Sequence, residues 1–453
     1  MKIDYHKIGL KVGLEIHQQL DTSSKLFCSC NSSLSKGEPE RTFLRRLRPT
    51  QSELGQVDPA AYFEFQKGVK ILYESTEKTS CLVEMDEEPP HPLNREAVKI
   101  ASTAALMMNG DPVEEIHVMR KTVIDGSNTT GFQRTCVIAL GGEIEVGEKR
   151  VPIEHVSLEE DAARKTGEQN DVLRYRIDRL GIPLVEVATA PVIKSPKEAE
   201  EVALAIGKIL RATEKVKRGL GTIRQDLNIS IPQGGLMEIK GVQELELLPL
   251  VVRYEVLRQM RLIEISKELK RQNIKEEEIQ GKMIDVTPVF QNTKCKVLRQ
   301  ALEENYPVLA VKLPKFNGFL GRELMPDHRL GTEMADRACF WGRVNGIFHT
   351  DELPAYGIKE EEVDMLKERT EAEDQDAIVL VADKQENAED ALRAVVKRAK
   401  EAIRGVPAET RSAEPDGTTR YTRPRPGSAR MYPETDIPPV TITEEYLRDL
   451  STQ

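Results

Sequence analysis

Long apolar runs are missing from this chain. The longest, such as Ala377–Ala382, fall far short of the stretch needed to span a bilayer. The opening residues Met1-Lys2-Ile3-Asp4-Tyr5 have no apolar signal segment. A cytoplasmic protein without a membrane partner is therefore expected. Cysteine is sparse too, with six residues (Cys28, Cys30, Cys81, Cys136, Cys295 and Cys339) scattered over 453 positions. That usage excludes a disulfide-stapled secreted scaffold and fits reduced thiols. Cys28-Ser29-Cys30 has half the spacing of a zinc site. No second close pair accompanies it, and no histidine stands at finger spacing, so ordinary thiols are expected. Tryptophan occurs once, at Trp341, and reads as core. No GxGxxG occurs, which removes support for a dinucleotide fold. Gly126 and Gly131 have Walker A spacing, but Phe132-Gln133 replaces the Lys-Ser/Thr that would reach phosphate and magnesium. Excess positive charge is absent as well: the formal net charge of −10 argues against a generic polyanion binder. Local basic clusters nonetheless stand at Arg41/Arg45/Arg46/Arg48, Arg211/Lys215/Lys217/Arg218 and Arg420/Arg423/Arg425/Arg430, and patches decide nucleic-acid binding.

What is present is an ample core with a charged surface, 39% hydrophobic and 31% charged, long enough for two or three domains. Helix signals are clear. Asp58-Pro59 reads as a cap and first helical residue, opening a helix through about Tyr73. Asn94 caps a helix running to Met108, with Gly110 past its end. Ser195-Pro196-Lys197-Glu198 is a capping box, followed by Val202, Ile206, Ile209 and Leu210 at helical spacing. Alternation marks strands at 183–188, 222–231 and 236–242, and around Val156-Ser157-Leu158. Strands and helices interleave without a regular βαβ period, which favours an α+β fold. A charged helical stretch at 264–283 ends near residue 275, where the rhythm changes. Strands at Val308–Leu313, 346–349 and Ala377–Ala382 then alternate with helices at 332–340, 359–367 and 387–403. Together they form a compact α/β sandwich that reads as a separate domain. Residues 405–440, rich in Pro, Gly and Arg, read as a long ordered loop or linker, with a strand at 440–442.

The chemistry-bearing residues are acids on strand faces. In Val12-Gly13-Leu14-Glu15-Ile16-His17-Gln18-Gln19, Val12, Leu14 and Ile16 point one way and Glu15, His17 and Gln19 the other. Glu186 lies in the apolar run Leu184-Val185-Glu186-Val187, a poor place for a carboxylate unless it is paired or metal-bound. Glu159 and Glu160 follow an apolar strand and, being adjacent, face opposite ways. Asp226 and Glu238 stand beside Arg224 and Lys240 on further strands. Hard oxygen ligands with one imidazole suit Mg2+ or Mn2+ better than zinc, and Mg2+ shares itself with substrate phosphates. The expected metal ligands are Glu15, His17, Glu159 or Glu160, Glu186, Asp226 and Glu238. Arg224, Lys240 and the hydroxyl-rich loop Ser127, Asn128, Thr129 and Thr130 are expected at phosphate groups, of a nucleotide or of a phosphorylated intermediate. The remaining histidines read as surface or satisfied residues.

At these residues the chain resembles a known family, the kinase/amidotransferase subunits of tRNA-dependent amidotransferases. Gly13-Leu14-Glu15-Ile16-His17-Gln18-Gln19-Leu20 with Ser24-Lys25-Leu26-Phe27-Cys28 is similar to the family's opening. Leu158-Glu159-Glu160-Asp161-Ala162, Gly181-Ile182-Pro183-Leu184-Val185-Glu186, Arg224-Gln225-Asp226-Leu227-Asn228-Ile229-Ser230, Glu238-Ile239-Lys240 and Tyr432-Pro433-Glu434-Thr435-Asp436 follow in order. The likeness covers about residues 5–265 and 405–445. It leans to the archaeal E branch rather than the bacterial B branch through the segment 120–133, where the B branch is aromatic-rich. Residues 276–405 lean the same way, since they resemble the insertion domain of bacterial-type aspartyl-tRNA synthetases at Pro314-Lys315-Phe316-Asn317-Gly318 and Arg329-Leu330-Gly331-Thr332-Glu333.

The resemblance implies a glutamine-synthetase-like catalytic cradle at 1–275, completed by 406–453, with the insertion domain at 276–405. It implies a carbon–nitrogen ligase, a glutamyl-tRNA(Gln) amidotransferase. ATP with Mg2+ would phosphorylate the glutamate carried by tRNA(Gln), and ammonia from an asparaginase-like D subunit would then displace phosphate, within a heterotetramer. The second cysteine pair of the B branch is missing, so the resemblance carries over no zinc. The family's C-terminal helical and tail domains, which bind tRNA, are not found before Gln453, so loss of much tRNA affinity is expected. Two other readings share parts of this pattern: a small-molecule ATP-dependent ligase of the glutamine synthetase type, and a non-catalytic tRNA-binding protein.

Overall fold

Alternation in the first strand organises one half of the molecule. In a computed structural model that describes residues 3–48, 65, 70–123, 125–169, 172–425 and 431–451, the chain forms two compact units. One comprises Lys11–Asn228, Gly241–Glu246 and Pro426–Gln453; the other comprises Met1–Leu10, Ile229–Lys240 and Leu247–Arg425. No helix among the described residues is long and apolar enough to cross a membrane.

The first unit is built on an antiparallel sheet. Strand β1 (Lys11–Gln19) pairs with Pro183–Thr189, which pairs with Lys149–Glu160, then Phe132–Leu140, Met119–Thr122 and Met431–Pro433. Ile223–Ser230 runs along the other side of β1. Every β1 residue with even number from Val12 to Ile16 is fully buried. These side chains meet the helix α2 (Pro196–Ala212), while α1 (Arg95–Met107) packs on Phe132–Leu140 and Lys149–Glu160; the apolar stripes are Ala97, Ala101 and Ala104 on α1 and Val202, Ile206 and Leu210 on α2. Small residues on α1 let the helix lie close to the sheet. Both helix starts follow their sequence signals: Asn94 Oδ1 accepts from Ala97 N at 3.1 Å and Ser195 Oγ accepts from Glu198 N at 3.2 Å. Gly13 allows close approach, since a Cβ there would lie 3.3 Å from the Thr189 carbonyl oxygen. Helices on one face leave the opposite face to polar residues.

A smaller sheet in the same unit runs Arg164–Gln169, Val172–Arg176, Lys70–Ser75 and Arg41–Arg45 over a core of Ile71, Tyr73, Ala163, Tyr175 and Ile177. The helix expected from Asp58 falls largely outside the described residues. Its expected end at Tyr73 is instead strand, because Ile71 and Tyr73 alternate into that core.

The second unit centres on a four-stranded antiparallel sheet with Val308–Leu313 and Ala377–Ala382 in the middle. Leu309, Val311, Val379 and Val381 face a core shared with helices Leu248–Arg271, Leu330–Gly342 and Gln385–Arg404. Val308, Ala310, Ile378 and Leu380 face a second core with Lys296–Glu303 and Glu360–Thr370. Burial on both faces is why these strands read as unbroken apolar runs. The helix expected over 264–283 lies earlier, at Leu248–Arg271, and residues 283–285 are strand. Residues 405–440 are not a loop. They hold the hairpin Glu409–Ala413/Thr419–Pro424 and the strand Met431–Pro433. The hairpin turns at Pro415-Asp416-Gly417, where Gly417 takes φ +82° and Asp416 Oδ1 accepts from Thr418 N at 2.9 Å.

Candidate functional site

The uncovered face of the larger sheet collects one histidine and several acids. Pairing sets His17 opposite Glu186, Glu186 opposite Ser157, Leu184 opposite Glu159, and Glu15 opposite Ala188. Cross-strand neighbours on one face stand roughly 5 Å apart at Cβ, so these side chains converge by register alone. His17 Nε2 lies 3.0 Å from Glu186 Oε2 and 3.3 Å from Glu159 Oε1. The other Glu186 oxygen meets His155 Nε2 at 3.2 Å. Glu15 accepts from Asn228 Nδ2 at 2.8 Å. His17, Glu159 and Glu186 are all buried, and His17 Nδ1 has no hydrogen-bond partner among the described residues.

This packing is electrostatically demanding. Burial alone would lower the His17 pKa, but the hydrogen bonds to Glu159 and Glu186 outweigh it and raise the imidazole to about 10. Burial pushes the Glu186 carboxyl upward, while its contacts to His155 and His17 override that and hold it well below its usual range. Two buried carboxylates therefore point at one nitrogen, and a proton on that nitrogen is what offsets them. A divalent cation does the same work with greater charge. The three ligand atoms lie within 4.8 Å of one another, the separation such an ion needs.

A network flanks the cluster. Asp161 accepts from Gln19 Nε2 at 2.7 Å and lies 3.4 Å from Arg224 Nη1 and 3.8 Å from Arg179 Nε. Asp226 Oδ1 accepts from Gly241 N at 2.9 Å, and its charge raises the His17 pKa. Beside the cluster opens a cleft of about 400 Å³ lined by Met119, Val137, Leu140 and Met431 as well as Lys121, His155, Glu159 and Glu186. Its lining mixes apolar and charged side chains, which suits a ligand with an apolar ring and anionic oxygens.

Not all the sequence candidates gather here. Glu160 lies on the opposite face of its strand, where its carboxylate accepts from Arg134 N at 2.9 Å and lies 3.6 Å from Arg134 Nη1; it is not in the cluster. Ser127, Thr129 and Thr130 donate to the Asp125 carboxylate, the Glu84 carbonyl and the Phe132 carbonyl, so these hydroxyls close a turn of the small sheet's core. Asn128 is buried beneath them. Glu238 and Lys240 belong to the second unit, where they pair at 2.9 Å and Glu238 also accepts from Thr410 Oγ1 at 2.6 Å. Conversely, His155, Asp161 and Lys121 lie at the site although none was expected there: Asp161 and Lys121 were read only as parts of the segments 158–162 and 120–133, and His155 as a surface or satisfied residue. His155 stands four residues before Glu159 on the unbroken strand Lys149–Glu160, so alternation puts the two on one face.

Residues 10–448 match the GatB/GatE catalytic domain model. The E-type subunit of glutamyl-tRNA(Gln) amidotransferase from Aeropyrum pernix is 59% identical over 98% of this chain and 70% of its own length. The chain belongs to the GatB/GatE family. The E-type subunits from Methanocaldococcus jannaschii and Saccharolobus solfataricus are 54% and 52% identical, each over 99% of this chain and 71% of theirs. Similarity to this E-type group agrees with the archaeal leaning of segment 120–133 and makes the chain an amidotransferase component.

Proposed function

We propose that this chain catalyses ATP-dependent conversion of Glu-tRNA(Gln) to Gln-tRNA(Gln), and that the open sheet face is where the carboxylate is activated. A carboxylate repels ammonia and offers no leaving group. Transfer of the γ-phosphoryl of ATP to the side-chain carboxylate of the esterified glutamate makes an acyl phosphate and ADP. Attack by ammonia on that carbonyl then forms the C–N bond, breaks the C–O bond to phosphate, and releases inorganic phosphate and a proton.

In this reading His17, Glu159 and Glu186 hold Mg2+ or Mn2+, with Glu15 and Asp226 adding negative charge nearby. The bound cation would screen the phosphates of ATP and offset charge that builds up during transfer. Asp161 fixes Arg224, which presents a positive charge to anionic oxygens. Lys121, which also lines the cleft, does the same, and the apolar side chains of the cleft would take the nucleoside. The ammonia comes from a partner, an asparaginase-like D subunit in a heterotetramer, in the cytoplasm. The first unit is the core of a glutamine-synthetase-like cradle, and the α/β sandwich of residues 276–405 is an aspartyl-tRNA-synthetase-like insertion.

The single observation that supports this most is the convergence of Glu159 and Glu186 on His17 Nε2 beside a cleft of nucleotide size. Replacing Glu15 or Glu186 by Gln is expected to abolish ATP-dependent activation with circular dichroism unchanged. Wild-type turnover in either variant would remove the assignment. ATP cleavage stimulated equally by free glutamate and by Glu-tRNA(Gln) would point instead to a small-molecule ligase.

A further inference from the structure

His155 touches one of the three groups that converge at the open sheet face without being one of them. On Lys149–Glu160, the residues His155, Ser157 and Glu159 share that face. Glu186 stands opposite Ser157 and Ala188 opposite His155, so His155 and Glu186 are diagonal neighbours across the strand pair. Ser157 is short, which lets the two long side chains meet over it. The Glu186 oxygens are thereby divided. Oε2 lies 3.0 Å from His17 Nε2, and Oε1 lies 3.2 Å from His155 Nε2. Glu186 is buried, whereas His155 is partly exposed and lines the cleft. The ligand atoms that come within 4.8 Å of one another belong to His17, Glu159 and Glu186, and His155 is not in that group. Its ring meets the carboxylate, not the place of a shared ion.

We propose that His155 is a positioning residue for the cation site: by donating its Nε2–H to Glu186 Oε1 it leaves a cation only Oε2, and so favours a small octahedral ion over calcium. The proposal rests on the reading of His17, Glu159 and Glu186 as the cation's ligands. The Nε2–H is present in the imidazolium and in one neutral tautomer, so the hydrogen bond does not require a charged ring. Among the described residues, His155 supplies the only hydrogen bond to Oε1. A carboxylate with both oxygens free can close on an ion from two sides. Calcium takes such bidentate ligands readily, gathering about six to eight oxygens at about 2.3–2.6 Å. Magnesium demands about six near-ideal positions at about 2.0–2.1 Å and keeps several of them for water and substrate phosphates. Holding Oε1 aside therefore has two effects. The protein's ligand set becomes too sparse for calcium, and positions stay open for the phosphates of ATP. If His155 served only to offset the charge of Glu186, a neutral donor could not replace it. If it served to orient the carboxylate, a neutral donor could.

The test is Mn²⁺ binding by the full chain, read from the paramagnetic resonance of free Mn²⁺ with a non-hydrolysable ATP analogue present and Ca²⁺ as competitor. In His155→Leu, Mn²⁺ should bind about tenfold more weakly and Ca²⁺ no more weakly than in wild type, so the preference for Mn²⁺ falls about tenfold. His155→Gln keeps an N–H donor in nearly the same place and carries no charge. It should bring the preference back to within about threefold of wild type. An unchanged Mn²⁺ to Ca²⁺ ratio in His155→Leu would overturn the proposal, as would no recovery in His155→Gln. Partial unfolding lowers both apparent affinities together and leaves their ratio alone, so the ratio decides even for a poorly folded variant. Glu186→Gln separates this proposal from the ligand assignment beneath it. If wild type binds Mn²⁺ and Glu186→Gln does not, a level ratio in His155→Leu refutes the role of His155 alone. If wild type binds no Mn²⁺, or Glu186→Gln binds it equally well, the ligand assignment fails and the role of His155 falls with it.

Discussion

If a cation binds at the open sheet face as proposed, the protonated His17 makes its binding a proton exchange that can be measured. With its pKa raised to about 10, His17 holds a proton at neutral pH and directs it at Glu159 and Glu186. A cation ligated by Nε2 must displace that proton, so each ion bound releases one. Below the raised pKa, affinity should then climb about tenfold per pH unit. From pH 7 to pH 9 the dissociation constant for Mn²⁺, titrated with a non-hydrolysable ATP analogue present, should fall about 100-fold, or roughly 2.7 kcal/mol at about 1.36 per unit. Calorimetry in buffers of different ionisation enthalpy should count close to one proton released. His17→Gln should bind more weakly and flatten the slope. Without a cation the sign reverses for stability. The folded pKa exceeds the ordinary 6.5, so the stabilisation from the charged imidazole is complete below about pH 6.5 and is lost as pH rises through about 10. Affinity that stays level from pH 7 to pH 9, with no proton released, would refute this account of the cluster.

Other perturbations separate the site from its scaffold. Glu333 is fully buried among Arg258 and Arg398, each at 2.6 Å, and Arg411 at 3.6 Å. Glu333→Gln should therefore lower stability by about 3–5 kcal/mol, read as a drop in urea midpoint, because Arg398 is left buried without its carboxylate while Arg258 and Arg411 keep only Glu255 and Glu409. Asp161→Asn should slow ATP cleavage while costing about 1–3 kcal/mol of stability, since Arg224 and Arg179 lose a charged acceptor. Ser195→Ala should cost about 1 kcal/mol through loss of the α2 cap, with cation affinity unchanged; a change in that affinity would mean the helix face and the acid face are coupled. Neutralising Arg45 should leave the salt dependence of RNA binding nearly unchanged, since its guanidinium already pairs with Glu87 and donates to the Met85 carbonyl at 2.8 Å.

Local signals were legible where one short segment sets the outcome. Caps at Asn94 and Ser195, the alternation of Val12, Leu14 and Ile16, and the apolar run at Ala377–Ala382 each state their element within a few residues. The hairpin at 409–424 was missed because its strands are polar on both faces, although Pro415-Asp416-Gly417 marks its turn. The helix at Leu248–Arg271 was placed too late because charge, rather than the apolar stripe Val251, Val252, Leu262 and Ile265, guided its position.

For the site, the primary structure alone determined which residue types alternate on one strand face, and hence that Glu15, His17 and Gln19 share a side. Alternation has period two and is a property of the single strand. Which acids meet His17 is a matter of register between strands more than a hundred residues apart in the chain, and no local pattern encodes register. Tertiary pairing therefore decided that Glu159 and Glu186 reach the imidazole, that Glu160 turns to Arg134, and that His155 and Asp161 stand beside them. The same holds for the thiols: Cys28 and Cys30 are neighbours in sequence, and only the fold brings Cys81 and Glu84 to them.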